Sequence, residues 1–190
     1  MKPAGDPHPW AGSAASRDGR RSAVFLVGFM GAGKTSVGRI LSQKLGWAFE
    51  DLDERIEAQQ GRSIEAIFQN SGEGKFRSIE TAALRSLLEE LRTEPRIVAL
   101  GGGTFVQPEN VRLLEEASAR VVFLDGSADE LFRRCAGERK ERPLRRDAGQ
   151  FRALYHQRRP GYLKATWRVD TGGKDPEAVA TEVVCSLGLL

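Results

Sequence analysis

The residues Gly28-Phe29-Met30-Gly31-Ala32-Gly33-Lys34-Thr35 carry the first chemistry that can be read in this chain. They fit G-x-x-x-x-G-K-[ST], in which glycines let backbone N–H groups turn inward around phosphate oxygens. In such a loop the lysine meets the β- and γ-phosphates and the threonine hydroxyl ligates Mg2+. The apolar run Ala23-Val24-Phe25-Leu26-Val27 precedes it, and apolar residues at helical spacing follow it. A strand running into a helix N-terminus is the context the motif requires. Chance would produce the pattern in on the order of one chain in a hundred of this length. Nucleotide phosphate binding is therefore the expectation. The loop alone does not separate a kinase from an ATPase or a GTPase switch, although no guanine-reading N-K-x-D segment is present.

Three further groups of residues bear on what is done with the phosphate. Asp51-Leu52-Asp53 places two carboxylates two residues apart after a short apolar segment. On extended backbone both would face the same way, one supporting the metal and the other receiving a proton from an acceptor hydroxyl. One of the pair could equally be a plain helix N-cap. Arg77 opens a long helical pattern, where the helix dipole disfavours a cation, and Glu80 lies one turn on. That makes Arg77 a candidate for binding an anion. Arg142, among Arg139, Lys140, Arg145 and Arg146, could be carried to the transferring phosphate by a closing loop. In Arg158-Arg159-Pro160 one arginine could face the cleft, and two guanidiniums on one carboxylate make a directional clamp. Gly101-Gly102-Gly103 would let a ligand touch bare backbone.

These residues need elements to hold them. Helices are expected at about 34–45, 53–60, from Ser63 as N-cap, and at about 75–91, with Gly72 and Gly74 as breaks. Strands are expected at 23–27, 47–49, 96–100, 121–124 and 167–170. Pro108, Ser127 with Glu130, and Asp175-Pro176 mark later helix starts, and Pro160 should end the helix that carries Phe151, Leu154 and Tyr155. Alternating strands and helices give an α/β three-layer sandwich with about five parallel strands, of P-loop kinase type with a lid loop. Ligands in such folds sit at the carboxyl ends of the strands, where Gly28 to Thr35, Asp51 to Asp53 and the glycine triplet all fall. Residues 1–22, rich in Pro, Gly, Ser and Ala, read as a disordered leader with no secretory apolar core, and 23–190 as one domain with a lid at about 136–147. A net charge of +3 is too mild to argue for nucleic acid, and no apolar run is long enough to cross a membrane. Cys135 and Cys185 lack metal-ligand spacing and read as reduced thiols of a cytoplasmic protein.

Taken in order, G-F-M-G-A-G-K-T, D-L-D, F-R-x-x-E, G-G-G, R-P-L and R-x-P-x-Y resemble shikimate kinase from about residue 23 to 187. The resemblance implies transfer of the γ-phosphoryl group of ATP, with Mg2+, to the 3-hydroxyl of shikimate by a monomer that engages neither nucleic acid nor membrane. It implies that Asp53 holds the substrate hydroxyls and acts as base, with Lys34 and Arg142 also catalytic. Gly31, Ala32, Gly33, Lys34, Thr35, Ser36, Arg134, Arg142 and Lys174 would bind ATP. Arg77, Arg158 and Gly101, Gly102 and Gly103 would bind shikimate. Thr35 and, through water, Asp51 would hold the metal. The chain departs from the pattern at Arg145, where an apolar residue is usual, and at Arg159, where a small one is. Arg158 is chosen for the substrate by its spacing to Pro160 and Tyr162, with Arg159 as the alternative. A related kinase acting on gluconate, or a nucleotide-binding regulatory module, are the competing readings.

Overall fold

The computed structural model describes residues 23–91, 94–136 and 147–189, so the expected leader, nearly all of the expected lid and Arg142 lie outside the described residues. The apolar run opens the chain as β1 (Ala23–Val27), buried at every position. Because alternate side chains of a strand point to opposite faces, that pattern requires both faces of the sheet to be covered. β1 pairs in parallel with β3 (Arg96–Ala99) on one side and β4 (Arg120–Asp125) on the other. Beyond them lie β2 (Ala48–Asp51) and β5 (Trp167–Asp170), giving the order β2-β3-β1-β4-β5. From β1 the chain crosses to the edge strand β2 and returns to β3 beside β1, then passes over β1 to β4 and on out to β5. The resulting reversal beside β1 opens the crevice in which such sheets bind ligands.

The first helix, α1 (Lys34–Leu45), starts at Gly33 and stops at Gly46, both in the left-handed conformation. α2 (Leu52–Gln60) follows β2 without a linker. α3 (Ile64–Glu90) is capped by the Ser63 hydroxyl and kinks at Gly72, whose φ of 75° and ψ of 170° are not helical. The expected break at Gly72 is thus present, while Gly74 lies within the helical run after it. A 3-10 turn (Thr104–Val106) connects the glycine triplet to α4 (Pro108–Glu116). α5 (Ala128–Ala136) has the Ser127 hydroxyl at its start, accepting from the Glu130 N–H. α6 (Ala148–Tyr162) is capped by the Asp147 carboxylate, and α7 (Pro176–Leu187) by that of Asp175. α1 packs with α7 and α5 with α6, completing the sandwich.

Two expectations of local structure are corrected. α6 continues two residues beyond Pro160. Proline removes only its own N–H and crowds the carbonyl four residues back, which a terminal turn can accommodate. Asp51 and Asp53 also do not share a face by strand alternation, because the helix begins at Leu52 between them. Among the described residues, no helix is long and apolar enough to cross a membrane.

Candidate active site

The loop between β1 and α1 is shaped by backbone that side chains would block. Gly31 has a φ of +81°, and a Cβ there would lie 2.6 Å from the Leu131 carbonyl oxygen and 2.8 Å from the Cys135 Sγ. The Phe29 ring below the loop is buried and meets Phe151 and Tyr155 of α6 edge-on, at 5.0 and 5.6 Å between centroids. The Lys34 ammonium reaches back across the loop and donates to the carbonyls of Gly28 at 2.9 Å and Phe29 at 3.3 Å. Positive charge is therefore held at the mouth of a ring of amides and at a helix N-terminus, an arrangement that attracts phosphate.

Thr35 begins the link to the two carboxylates. Its hydroxyl donates to Asp51 Oδ2 at 3.2 Å, while Asp51 Oδ1 accepts from the Asp53 N–H at 3.0 Å and caps α2. Asp51 thus serves as helix cap and as partner of the loop threonine. The hydroxyl and carboxylate oxygens that meet here are hard donors, and Mg2+ is commonly held by one or two such groups plus water and phosphate oxygens. The donor set fits that ion. Asp53 lies on the first turn of α2 with its carboxylate against Gly101: a Cβ on that glycine would fall 2.6 Å from Asp53 Oδ1.

The glycine triplet gathers the remaining groups. A Cβ on Gly103 would lie 2.5 Å from Arg77 Nη1 and 2.7 Å from Nη2, so the guanidinium rests where a side chain would stand. Arg158 and Tyr162 reach the middle residue: Arg158 Nη1 donates to the Gly102 carbonyl at 3.2 Å, and the Tyr162 hydroxyl donates to the same oxygen. A Cβ on Gly102 would be 3.8 Å from the Gly28 carbonyl oxygen, which Lys34 also contacts. One turn of bare backbone therefore borders Asp53, Arg158, Arg77 and the phosphate loop.

Electrostatics and packing hold these groups in place. Glu80 is 1% exposed and accepts from Arg77 Nη1 at 2.9 Å and from the Thr104 hydroxyl at 2.6 Å. The buried Asn110 amide donates to the Thr104 carbonyl, tying α4 into the same chain of bonds. Burial works against the Arg77 cation, but Glu80 and Glu73 outweigh it, and the guanidinium pKa is raised. Burial pushes the Tyr162 hydroxyl up to about 12 against the pull of Arg158 and Arg77, so it remains a donor at neutral pH. Thr104 and Tyr162 carried no role in the sequence reading. Their signals were present, one directly after the glycines and the other within the R-x-P-x-Y segment.

The remaining expected nucleotide residues are placed as follows. Arg134 on α5 donates to Glu130 at 2.6 Å and to the Thr171 carbonyl at 2.7 Å, and Glu130 also accepts from the Gly173 N–H at 3.1 Å. This fixes the arginine against the turn after β5. The Lys174 ammonium, on the turn after β5, pairs with Glu182 of α7 at 2.5 Å. Ser36 is exposed, and Ala32 is buried under the loop. Arg159, the alternative to Arg158, pairs instead with Asp125 at 2.7 Å.

The sequence matches the shikimate kinase family over residues 30–187. It is 43% identical to a shikimate kinase of Geobacter sulfurreducens, over 92% of this chain and 93% of that protein. It is 35% identical to one from Persephonella marina, over 85% of this chain and 96% of that protein. A structure of shikimate kinase from Acinetobacter baumannii in complex with shikimate superposes with a TM-score of 0.78 at 32% identity, covering 88% of this chain and 93% of that one.

Proposed function

This chain belongs to the shikimate kinase family, and from that premise we propose that it transfers the γ-phosphoryl group of ATP to the 3-hydroxyl of shikimate, giving shikimate 3-phosphate and ADP. The step leads toward chorismate and the aromatic amino acids. The observation that carries the reading is the convergence on one glycine turn of a carboxylate and two guanidiniums beside the phosphate loop.

The roles follow from chemistry. The loop amides of Gly31, Ala32 and Gly33 hold the triphosphate, with Lys34 on its β- and γ-phosphates. Ser36 follows at the same helix start, and Arg134 lies against the nucleotide's base, braced by Glu130. We also assign Lys174 to the nucleotide's surroundings, reached from the turn after β5, and Arg142 to the phosphates from the lid segment. Arg77 and Arg158 take the shikimate carboxylate from two sides, with Gly101, Gly102 and Gly103 admitting the ring. Glu73, exposed, is the partner of Arg77 that an incoming carboxylate displaces, because a surface ion pair is worth little. Asp53 accepts the proton as the 3-hydroxyl oxygen forms its bond to the γ-phosphorus. The bond from that phosphorus to the bridging oxygen breaks, and the electron pair leaves with ADP. Mg2+ held by Thr35 and, through water, by Asp51 would neutralise charge on the β- and γ-phosphates.

We take a monomer as the working unit. We place the reaction in the cytoplasm, in keeping with an exposed thiol at Cys185 and the reducing compartment it suits. Release of ADP from ATP and Mg2+ should be triggered by shikimate and not by gluconate or nucleoside monophosphates. Turnover with gluconate alone would end this reading.

A further inference from the structure

Behind the acceptor site, a buried carboxylate collects more partners than a strand end needs. Asp125 closes β4 and is 3% exposed. Its Oδ2 pairs with Arg159 Nη2 at 2.7 Å and with Arg168 Nη2 at 2.9 Å, and its Oδ1 accepts from the Tyr155 hydroxyl at 3.4 Å. Tyr155 also donates to the Gly126 carbonyl at 2.9 Å. Two of the three side chains on Asp125 thus come from α6, and the third from β5.

The spacing along α6 gives this cluster a consequence. Tyr155 and Arg159 are four apart and form one stripe of the helix; Arg158 and Tyr162 are four apart and form the neighbouring stripe. The first stripe is held by Asp125, and the second meets the Gly102 carbonyl. A helix turns as a unit, so fixing the phase of one stripe fixes that of the other. Pro160 sharpens the dependence. It has no N–H to give to the carbonyl four residues earlier, so the end of α6 has fewer bonds of its own to hold its direction.

We infer that Asp125 is a positioning residue for the acceptor site: by holding Tyr155 and Arg159 it sets the rotation of α6 that aims Arg158, and not its neighbour Arg159, at the acceptor carboxylate. The carboxylate also takes the Arg159 cation out of competition. Two adjacent guanidiniums would otherwise offer two orientations of the acid, only one of which brings the 3-hydroxyl to Asp53. The inference rests on the assignment of Arg158 to the shikimate carboxylate.

The test compares Asp125→Asn, Arg159→Gln and Arg158→Ala using two acceptors, shikimate and its carboxamide, with thermal unfolding recorded for each protein. Asp125→Asn is expected to raise the KM for shikimate about tenfold while leaving the KM for the carboxamide and for ATP within about twofold, because the loss is confined to a charge-assisted grip on the acid. Arg159→Gln should show the same selective pattern in smaller degree, and reads the same contact should Asp125→Asn fail to fold. A penalty equal for both acceptors, or a fall in unfolding temperature with unchanged discrimination between them, would reduce Asp125 to a brace and overturn the inference. If Arg158→Ala itself fails to separate the acid from the amide, the assignment of Arg158 falls and the inference with it. A selective loss in Arg158→Ala without one in Asp125→Asn or Arg159→Gln rejects the role of Asp125 alone.

Discussion

Arg77 is held by two carboxylates of different standing. Glu80 is buried and bound to Thr104 as well, so it fixes the guanidinium; Glu73 is exposed and replaceable. Since a carboxylate grip acts largely on the ground state, Arg77→Ala should raise the shikimate KM by about 10- to 100-fold with the KM for ATP unchanged, as steady-state kinetics would read. A fall in ATP affinity with shikimate unaffected would move Arg77 to the nucleotide. Asp53→Asn should lower kcat by about 10²- to 10⁴-fold, the usual worth of a general base, while equilibrium binding still detects ATP. A near-normal rate would remove Asp53 from that role. At this scale much of the candidate site was legible in the sequence. Lys34, Thr35, Asp53, Arg77 and the glycines stand at spacings that restrict what they can do, and all of them but Arg77, which lies within α3, follow directly on strand ends. Asp125 gave no such signal. Its partners lie 30 to 43 residues away, and a lone aspartate after an apolar strand reads as the start of a turn. Only the docking of α6 and β5 makes it a hub.

Between elements, close approach replaces chemical spacing as the deciding factor. α1 meets β2 at Gly38, where a Cβ would fall 2.3 Å from Phe49 Cε2 and 2.8 Å from Cδ2. Alanine normally favours a helix over glycine by about 1 kcal/mol. Here the clash should reverse the sign, and Gly38→Ala is expected to destabilise by about 1–3 kcal/mol in urea denaturation, the range for an overpacked contact. Gly38→Ala with Phe49→Leu should recover part of the loss; no recovery would mean that the ring is not what Gly38 makes room for. Most helix starts were well marked in the sequence, because Ser63, Ser127 and Asp175 each bring a side-chain acceptor to backbone N–H groups; Asp147, expected in the lid, caps α6 in the same way. Ends were less so. Pro160 reads locally as a stop, but α6 runs on to Tyr162, where the side chain stacks on Phe123 at 5.3 Å between ring centroids and bonds to Gly102. Tertiary packing outweighed a local rule.

Across the whole molecule, nucleotide and acceptor are expected on the two sides of the crevice that the strand order creates beside β1. Each ligand should therefore stabilise the fold on its own account. Shikimate at one hundred times its Kd is expected to add about 2.7 kcal/mol to the free energy of unfolding, seen as a rise in Tm. At the same shikimate concentration Arg77→Ala should lose most of that rise and keep the one produced by ATP. Loss of both would show that the substitution disturbs the fold rather than the acceptor side. The alternation of apolar runs with helical spacing was enough to read the parallel sandwich from the sequence, though the order of its strands was not contained in any local pattern. That order has a consequence at the ribosome. β1 is synthesised before the strands that flank it, since β3 and β4 follow only from residues 96 and 120. Until they emerge, the nascent run from Ala23 to Val27 has no native edge to pair with, and unsatisfied apolar segments of this kind invite aggregation and chaperone capture. Competence to bind nucleotide should thus wait for the fourth strand, although the loop that performs the binding is made before it.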